Sequence, residues 1–282
     1  MSSMTNITID KSALLTLRAH TIEPRQILAK NWSVSSSVCD WIGVTCGSRH
    51  QRVTALNISK MNLTGTLPPQ LGNLSFLLSL DMSRNNFHGE IPREIAHLRR
   101  LKVLDLGIND LNGELPPWIG SFSQLHHLHL DENSFTGLVP SSVSNMSKLA
   151  TLYLDENSLQ GNIPTGIFNI SSLEKIALGA NSLSGSGPSD MCHRLQGLSF
   201  LSLTENKLNG QLPSSLAQCS ELRVLDFSYN KFRGSIPKEI GELKKLEELY
   251  LGAFHHLEGK ILFLSIIYGQ SKIMHYSNLQ FV

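Results

Sequence analysis

Two histidines, His127 and His129, stand two positions apart in the segment QLHHLHLDENSF. Alternate residues of a β-strand point to the same face, so both imidazoles would project from one side and could chelate a metal ion. A protein zinc site has three or four protein ligands, and no third ligand accompanies this pair at a suitable spacing. The spacing therefore predicts two solvated histidines and no metal site.

Paired carboxylates follow the histidines and return in the next part of the chain. Asp131 and Glu132 precede Asn-Ser, and Asp155 and Glu156 do so again 24 positions later. No lysine or arginine accompanies these carboxylates on their strands, so a cationic ligand would relieve their mutual repulsion. A solvated acidic face without a ligand is the alternative. Asp81 and Asp105 would extend this acidic ladder on earlier strands.

Aromatic side chains near the carboxylates are the kind that dominate recognition surfaces. Tyr153 stands between the two acidic pairs, and other candidates follow along the chain. The predicted binding residues are His127, His129, Asp131, Glu132, Tyr153, Asp155, Glu156, Phe200, Asp226 and Tyr229.

Motifs of catalysis and cofactor binding are missing from the sequence. We find no P-loop, zinc-ligand pair of helical spacing, nucleophile elbow or kinase signature, so the chain is not predicted to be an enzyme or to bind a cofactor. The 282 residues are 41% hydrophobic and 17% charged with a formal net charge of +1. This balance, with no basic cluster along the sequence, argues against nucleic-acid or acidic-membrane partners.

The segments that hold the candidate residues are copies of one repeat. The frame is L-x-x-L-x-L-x-x-N-x-L-x-G-x-I-P, and successive copies are 24 or 25 residues apart. The aligned asparagines are Asn85, Asn109, Asn133, Asn157, Asn181, Asn206 and Asn230. A fixed period of this length is typical of a solenoid, in which each coil buries its apolar side chains against its neighbours.

Each part of the frame has a physical role. The alternation in x-x-L-x-L predicts a half-buried strand with leucines inward and the x positions on the opposite, concave face. An asparagine at every turn predicts a ladder of amide hydrogen bonds between stacked coils. Glycine allows a special φ, and proline fixes an extended outer segment. We expect strands from residues 77–82 to 246–251 to form one parallel sheet, with 3₁₀ turns or brief helices as the outer returns.

This frame resembles the plant-type leucine-rich repeat. Residues 10–48, with DKSALLTLRAH and NWSVSSSVCDWIGVTCG, resemble the N-terminal cap of plant leucine-rich-repeat receptor kinases, nearest to the subgroup that senses flagellin and elongation factor. The resemblance implies an α/β solenoid that forms a right-handed superhelix with a parallel concave sheet and an N-terminal helical cap. It also implies an extracellular sensing part of a serine/threonine kinase, although membrane span and kinase are absent from this chain.

The cap would cover the open end of the repeat stack. Leu14, Leu15 and Leu17 lie on a short amphipathic segment for which Asp10 is the expected N-cap, and Trp32 and Trp41 would pack beneath it. The resemblance implies a disulfide between Cys39 and Cys46, with free thiols as the alternative. Cys192 and Cys219 lie in neighbouring outer returns, where either a lateral bridge or two buried thiols would fit.

Sequons and cysteines indicate the secretory pathway. The candidate glycosylation sites are Asn6, Asn31, Asn57, Asn62, Asn73, Asn145 and Asn169. By resemblance, the protein would lie outside the cell or at the plasma-membrane surface. The N-terminal residues of the sequence as given lack a signal-peptide pattern, and we expect a truncated start.

The sequence divides into three parts. Residues 8–48 are the expected cap, residues 49–261 hold about nine repeats of 24 residues, and residues 262–282 form an irregular tail. The apolar run at 261–268 is too short to span a membrane, because a spanning helix needs about 20 residues. We interpret the tail as a non-native end after premature termination, with an amphipathic capping helix as the alternative.

The predicted function is recognition of a protein or peptide ligand, with a co-receptor as a further partner. The runner-up is a secreted inhibitor of pathogen cell-wall-degrading enzymes, similar to the polygalacturonase-inhibiting repeat proteins. A non-functional gene fragment is the third alternative.

Overall fold

A computed structural model describes residues 2–187, 190–252 and 256–258, with the side chains of residues 7–187 and 190–252. Two α-helices, Ser2–Ala19 (α1) and Ile27–Asn31 (α2), precede the repeats. Each repeat then supplies a strand to a first sheet, and most continue with an outer strand and a 3₁₀ helix.

The concave sheet has ten strands in the described part of the chain, and they follow one another in chain order. The first pairs antiparallel with the second, and each later strand is parallel to its neighbour. The strands are Val44–Cys46, Val53–Asn57, Ser79–Asp81, Val103–Asp105, His127–His129, Thr151–Tyr153, Lys175–Ala177, Phe200–Ser202, Val224–Asp226 and Glu248–Tyr250. The predicted parallel sheet is confirmed, although most strands are three residues long and therefore shorter than predicted.

The register of this sheet places equivalent residues of all repeats in straight rows. Leu104, Leu128 and Leu152 lie side by side at the central strand position, and all three are buried. Leucines two positions later, such as Leu130 and Leu154, are buried in the same way. The predicted alternation is confirmed, and it turns the intervening side chains outward.

Outer strands form two further parallel sheets, which the sequence analysis did not anticipate. Their bounds are Thr21–Ile22, Thr64–Thr66, Asn86–Gly89, Asp110–Glu114 and Ser134–Thr136 in one, and Gln160–Asn162, Ser182–Ser186, Lys207–Gly210, Lys231–Ser235 and His256–Glu258 in the other. Thr21–Ile22 is antiparallel to its neighbour and comes from the cap. The extended segment before each proline therefore pairs with its neighbours.

The repeat glycine is required by these outer strands. Gly113 has a φ of +87°, and a Cβ at this residue would lie 2.7 Å from Cγ of Glu90 in the preceding repeat. Gly137 has the same relation to Glu114, at 2.9 Å. A side chain here would meet both backbone strain and a neighbouring side chain, so only glycine fits.

The returns are 3₁₀ helices, as predicted. Seven of them in the described ranges begin directly after a proline, and five of these prolines are in the extended conformation. They are Pro69–Asn73, Arg93–His97, Pro117–Ser121, Ser141–Asn145, Thr165–Asn169, Ser214–Gln218 and Lys238–Glu242.

The predicted asparagine ladder is also confirmed. Nδ2 of Asn109 donates to the carbonyl oxygens of Met82, Leu106 and Gly107, and Oδ1 accepts a bond of 3.0 Å from the N–H of Phe87. The other aligned asparagines, from Asn85 to Asn230, make the same kind of contacts between adjacent repeats. Each amide therefore ties its own turn to the previous coil.

The cap differs from its prediction in one respect. Asp10 is not an N-cap, because α1 begins at Ser2 and Asp10 lies inside it, completely buried. Its carboxylate accepts bonds of 2.8 and 2.7 Å from Arg52 and one of 2.9 Å from the N–H of Val53. Asp10 therefore joins the cap helix to the first strand of the repeats, a role that local pattern could not indicate.

The other cap predictions agree with the structure. Leu14 and Leu17 are buried, and Trp32 and Trp41 stack with ring centroids 5.4 Å apart. Cys39 and Cys46 form a disulfide. Cys192 and Cys219 form a second one, which joins two neighbouring returns. The predicted tail, residues 262–282, lies outside the described residues.

Candidate ligand-binding site

Three outward positions of each repeat form the exposed side of the concave sheet. The first position carries His127, Thr151 and Lys175 on successive strands, and the second carries His129 and Tyr153. The third position, two residues further on, carries Asp131 and Asp155. The predicted residues of the fourth and fifth repeats are therefore neighbours.

The two histidines and Tyr153 form a connected polar and aromatic group. The rings of His129 and Tyr153 stack with centroids 4.5 Å apart. The Thr151 hydroxyl lies 2.9 Å from Nδ1 of His127 and 2.7 Å from Nε2 of His129. Since a hydroxyl can donate one bond and accept another, Thr151 holds both imidazoles. This group presents a preorganised aromatic surface.

His127 and His129 differ in the groups that surround their rings. Nδ1 of His129 lies 3.4 Å from Oδ2 of Asp105 on the preceding strand. Burial lowers the pKa of His127, and the nearby His129 and His126 lower it further. His127 is therefore neutral at pH 7, and His129 is the ring that contacts a carboxylate.

Asp131 and Asp155 lack a partner of opposite charge within hydrogen-bonding distance. Each interacts with its own backbone, and neither forms a hydrogen bond or ion pair with the side chain of another described residue. Burial raises the pKa of Asp131, and burial together with Asp131 raises the pKa of Asp155 to about 6. The two carboxylates are partly desolvated and repel one another.

A glycine occupies the third outward position on each side of the acidic pair. Gly107 precedes Asp131, and a Cβ at Gly107 would lie 2.8 Å from Oδ1 of Asp131, so the absence of a side chain there leaves room for this carboxylate. Gly179 follows Asp155, and a Cβ at Gly179 would lie 2.8 Å from Cγ2 of Thr204 on the next strand. No charged side chain therefore flanks the acidic pair at this position of the neighbouring strands.

One basic side chain, that of His129, does lie near the acidic pair. His129 faces Asp131 closely enough for its positive charge to lower the pKa of that carboxyl, although burial has the larger, opposite effect. The sequence analysis considered only lysine and arginine and therefore missed this interaction.

The turn directly before the repeat asparagine holds three of the predicted binding residues, Glu132, Glu156 and Tyr229. They have φ values of 48°, 52° and 53° at the turn before the asparagine, and all three are exposed. Left-handed backbone is uncommon for such residues, so the turn recurs in a strained conformation. These side chains lie at the edge of the sheet.

Three other aspartates have a structural role that was not predicted. Oδ1 of Asp81 accepts hydrogen bonds from the backbone and hydroxyl of Ser83, and Asp226 holds Ser228 in the same way. Asp105 accepts a bond from the N–H of Gly107. These carboxylates stabilise the end of their own strand, so they are less free for a ligand than Asp131 and Asp155.

The remaining candidates lie farther along the sheet. Phe200 follows Lys175 at the first outward position, and Asp226 lies one strand beyond Phe200. The structure does not bring them to the histidine group. Thr151 and Lys175 were not among the predicted binding residues. They lie one and two repeat lengths of 24 residues after His127, so the period alone would have indicated both.

The sequons lie mostly away from this group. Asn73, Asn145 and Asn169 end 3₁₀ helices on the convex side and are exposed. Asn57 lies on the concave sheet, four strands before Tyr153. Asn31 ends α2, Asn62 is exposed beside an outer strand, and the side chain of Asn6 is outside the described set.

Neither a metal-binding cluster nor a membrane-spanning helix is found in the described ranges of the chain. Within these ranges, no three His, Cys, Asp or Glu side chains are arranged to hold a metal ion. No helix among them has the length and apolar character needed to cross a bilayer.

Family models match most of the chain. A leucine-rich-repeat N-terminal domain matches residues 8–47, and leucine-rich-repeat models match residues 76–98, 100–122, 123–183, 197–219 and 221–243. The chain belongs to the leucine-rich-repeat family. The predicted similarity to plant receptor-kinase ectodomains is also confirmed by curated and solved relatives.

Among these relatives, the Arabidopsis thaliana receptor-like serine/threonine kinase EFR is 49% identical over 70 residues, which are 24% of this leucine-rich-repeat chain and 7% of EFR. The ectodomain of the Arabidopsis receptor kinase GASSHO1/SCHENGEN3, solved with CASPARIAN STRIP INTEGRITY FACTOR 2, is 31% identical with a TM-score of 0.82. The match covers 89% of this chain and 30% of that one.

The Arabidopsis receptor kinase HAESA, in complex with the peptide hormone IDA and the co-receptor SERK1, is 29% identical with a TM-score of 0.79. That match covers 89% of this chain and 42% of HAESA. This leucine-rich-repeat chain therefore spans less than half the length of each of these three relatives. Together the comparisons confirm a plant-type leucine-rich-repeat solenoid.

Proposed function

We propose that this chain recognises a protein or peptide ligand through its concave sheet, as the extracellular sensing part of a plant receptor kinase in defence or development. The observation that carries the proposal is the group of His129, Tyr153, Asp131 and Asp155, whose carboxylates are partly desolvated and unpaired. The solved relatives support it, since one is a receptor-kinase ectodomain in complex with CASPARIAN STRIP INTEGRITY FACTOR 2 and another is a receptor kinase in complex with the peptide hormone IDA.

The same proposal includes the division of the chain. Residues 8–48 are the cap, residues 49–261 are the repeats, and residues 262–282 are a tail outside the repeat pattern. The seven sequons are proposed glycosylation sites. A co-receptor is proposed as a second partner, because the HAESA complex includes one.

The proposed ligand has a basic segment that runs along the sheet. A lysine or arginine would lie over Asp131 and Asp155, where it would contact both carboxylates. Glu132 and Glu156 at the edge would attract it, and each exposed charge contact contributes about 0.2–1 kcal/mol. Tyr153 is the affinity anchor, since aromatic side chains dominate binding energies.

The test uses the secreted chain and two pools of synthetic peptides that are identical except for arginine and lysine in one and glutamine in the other. The variant combines Asp131→Asn, Glu132→Gln, Asp155→Asn and Glu156→Gln. The control combines three similar changes on the outer strands, Glu90→Gln, Asp110→Asn and Glu114→Gln.

Wild type and control should bind the basic pool, and the concave variant should lose association rate and salt dependence. Tyr153→Ala should weaken binding by about 2 kcal/mol through slower association or faster dissociation. Unchanged affinity, rate and salt dependence in the concave variant would show that the carboxylates are only a solvated face.

Two alternatives remain. A secreted inhibitor of cell-wall-degrading enzymes would use the same fold without a kinase. It predicts that the added chain inhibits a fungal polygalacturonase, which the receptor proposal does not. A non-functional fragment predicts neither inhibition nor binding.

A further inference from the structure

A basic surface lies on the side of the solenoid where each repeat enters its strand of the concave sheet. It consists of Arg99, Arg100, Lys102, His126 and Lys148, which we call the basic flank. Arg99, Arg100, Lys102 and Lys148 are exposed, and no described carboxylate forms an ion pair with any of the five. The sequence analysis found no basic patch because these residues are spread over 50 positions.

The repeat brings them together in two rows. Arg100, Gln124 and Lys148 occupy the same position in three successive repeats, and Nζ of Lys148 donates a bond of 2.7 Å to Gln124. Lys102 and His126 form the second row, joined by a backbone hydrogen bond of 2.8 Å. Neighbouring strands are about 4.8 Å apart, so Lys102 lies one strand from His126, and Arg100 lies two strands from Lys148 with the neutral Gln124 between them.

Arg100 is held in place by an aromatic ring. Its guanidinium lies 4.3 Å from the ring centroid of Phe76, and Arg52 lies 4.6 Å from the same ring. Arg52 is neutralised by the buried Asp10, so its charge serves the cap. Arg100 has no such carboxylate and directs an ordered, uncompensated charge to the surface.

The other half of the same surface is neutral. At the equivalent positions Arg223 pairs with Glu247, and Lys245 pairs with Glu221, both at 2.6 Å. The fold thus permits carboxylates at these positions. Their absence from the basic flank leaves a local positive field on a chain whose net charge is only +1.

We propose that the basic flank binds a linear acidic polysaccharide with one carboxylate per sugar. A polymer of this kind presents its charges along one direction, and the basic residues of the flank are likewise spread along the solenoid axis over three repeats. The flank is open, and its one aromatic ring is covered by guanidinium groups, so it lacks the apolar anchor typical of a protein interface. This site is separate from the proposed concave site.

The experiment measures binding of the whole chain to immobilised polygalacturonate at low and moderate salt. The flank variant is Arg99→Gln, Arg100→Gln and Lys102→Gln. The matched control is Lys244→Gln, Lys245→Gln and Arg223→Gln, which removes the same charge at the equivalent positions of later repeats. Circular dichroism checks that both variants keep the wild-type spectrum and melting temperature.

The flank variant should bind about tenfold more weakly than wild type, because affinity for a polyanion depends on the number of cations in contact. The control should stay within about twofold, and raising salt from about 50 to about 200 mM should weaken wild type strongly. Polyglutamate, a probe for an acidic protein partner, should bind more weakly than polygalacturonate.

Three results would overturn the proposal. They are no wild-type binding at low salt, equal losses in the flank and control variants, and polyglutamate binding as tight as that of polygalacturonate. None of them would affect the peptide proposal, since all substituted residues lie outside the concave group.

Discussion

Replacing Asn109 by alanine tests whether the asparagine ladder holds the coils together. The side chain makes four hydrogen bonds, but the energetic cost of losing each bond differs. The Met82, Leu106 and Gly107 carbonyls each keep another donor, from Asn85 Nδ2, Asn133 Nδ2 and the Arg84 N–H. The buried Phe87 N–H is different, because Asn109 is the acceptor that the structure gives it.

The expected cost follows from that orphaned donor. Leaving a buried N–H without a partner costs about 1–3 kcal/mol, whereas the carbonyls that retain a donor add little. Asn109→Ala should therefore lower the free energy of unfolding by about 1–3 kcal/mol. Asn109→Asp keeps an acceptor for Phe87 but places a carboxylate against three carbonyl oxygens, so it should destabilise at least as much.

Urea unfolding followed by circular dichroism would measure both variants by linear extrapolation. Asn112→Ala is the matched control, because Asn112 is in the same repeat but exposed on an outer strand. The control should change the free energy by less than about 0.5 kcal/mol. The reasoning is refuted if Asn109→Ala costs no more than Asn112→Ala, or if Asn109→Asp is as stable as wild type.

Two further predictions concern the disulfides and Asp155. Replacing Cys192 and Cys219 by alanine should lower the free energy of unfolding by about 3–4 kcal/mol, and replacing Cys39 and Cys46 should lower it by about 2 kcal/mol. The costs differ because the sequence separations of 27 and 7 give unequal loop-closure entropies. Non-reducing peptide mapping followed by the same urea denaturation assay checks this order, and a reversed order would contradict the prediction. Because the pKa of Asp155 is raised to about 6, its protonated form stabilises the fold at low pH, and this contribution is lost as pH rises from about 4 to about 6. Relative to Asp155→Asn, wild type should lose about 1 kcal/mol over that range after allowance for solvent screening, and parallel stability curves would contradict the assignment.

The repeat made the fold predictable from sequence alone. Leucine alternation predicted the parallel sheet, the short repeat length predicted 3₁₀ turns or brief helices as the returns, and the recurrent asparagine predicted the ladder. Each of these depends on contacts between residues about one repeat apart. A regular period therefore turns long-range contacts into a local pattern that can be read directly.

Contacts that occur once could not be predicted in this way. Asp10 was expected to cap a helix, yet it pairs with Arg52, 42 positions away. No period relates the cap to the first strand, so the local preference of aspartate for helix ends was misleading. The outer sheets were missed for another reason, because the Gly-x-Ile-Pro part of the repeat does not show the alternation typical of strands.

The candidate site was predicted as a surface but not as a set of contacts. The spacing placed His127, His129 and Tyr153 on one face, but not the hydroxyl of Thr151 between the imidazoles. It also treated all the aspartates alike. Distinguishing them requires the hydrogen bonds of each carboxylate, which differ between the second and the third outward positions.

That distinction is the best argument for recognition on this sheet. At the second outward position, Asp81, Asp105 and Asp226 each bind the backbone two residues later, so the fold uses the carboxylate. At the third position the repeats hold Ser, Gly, Asp or Thr without disturbing the strand register. The fold therefore does not require Asp131 and Asp155, and the desolvation of their ionised forms carries a cost that a cationic partner at this position would offset.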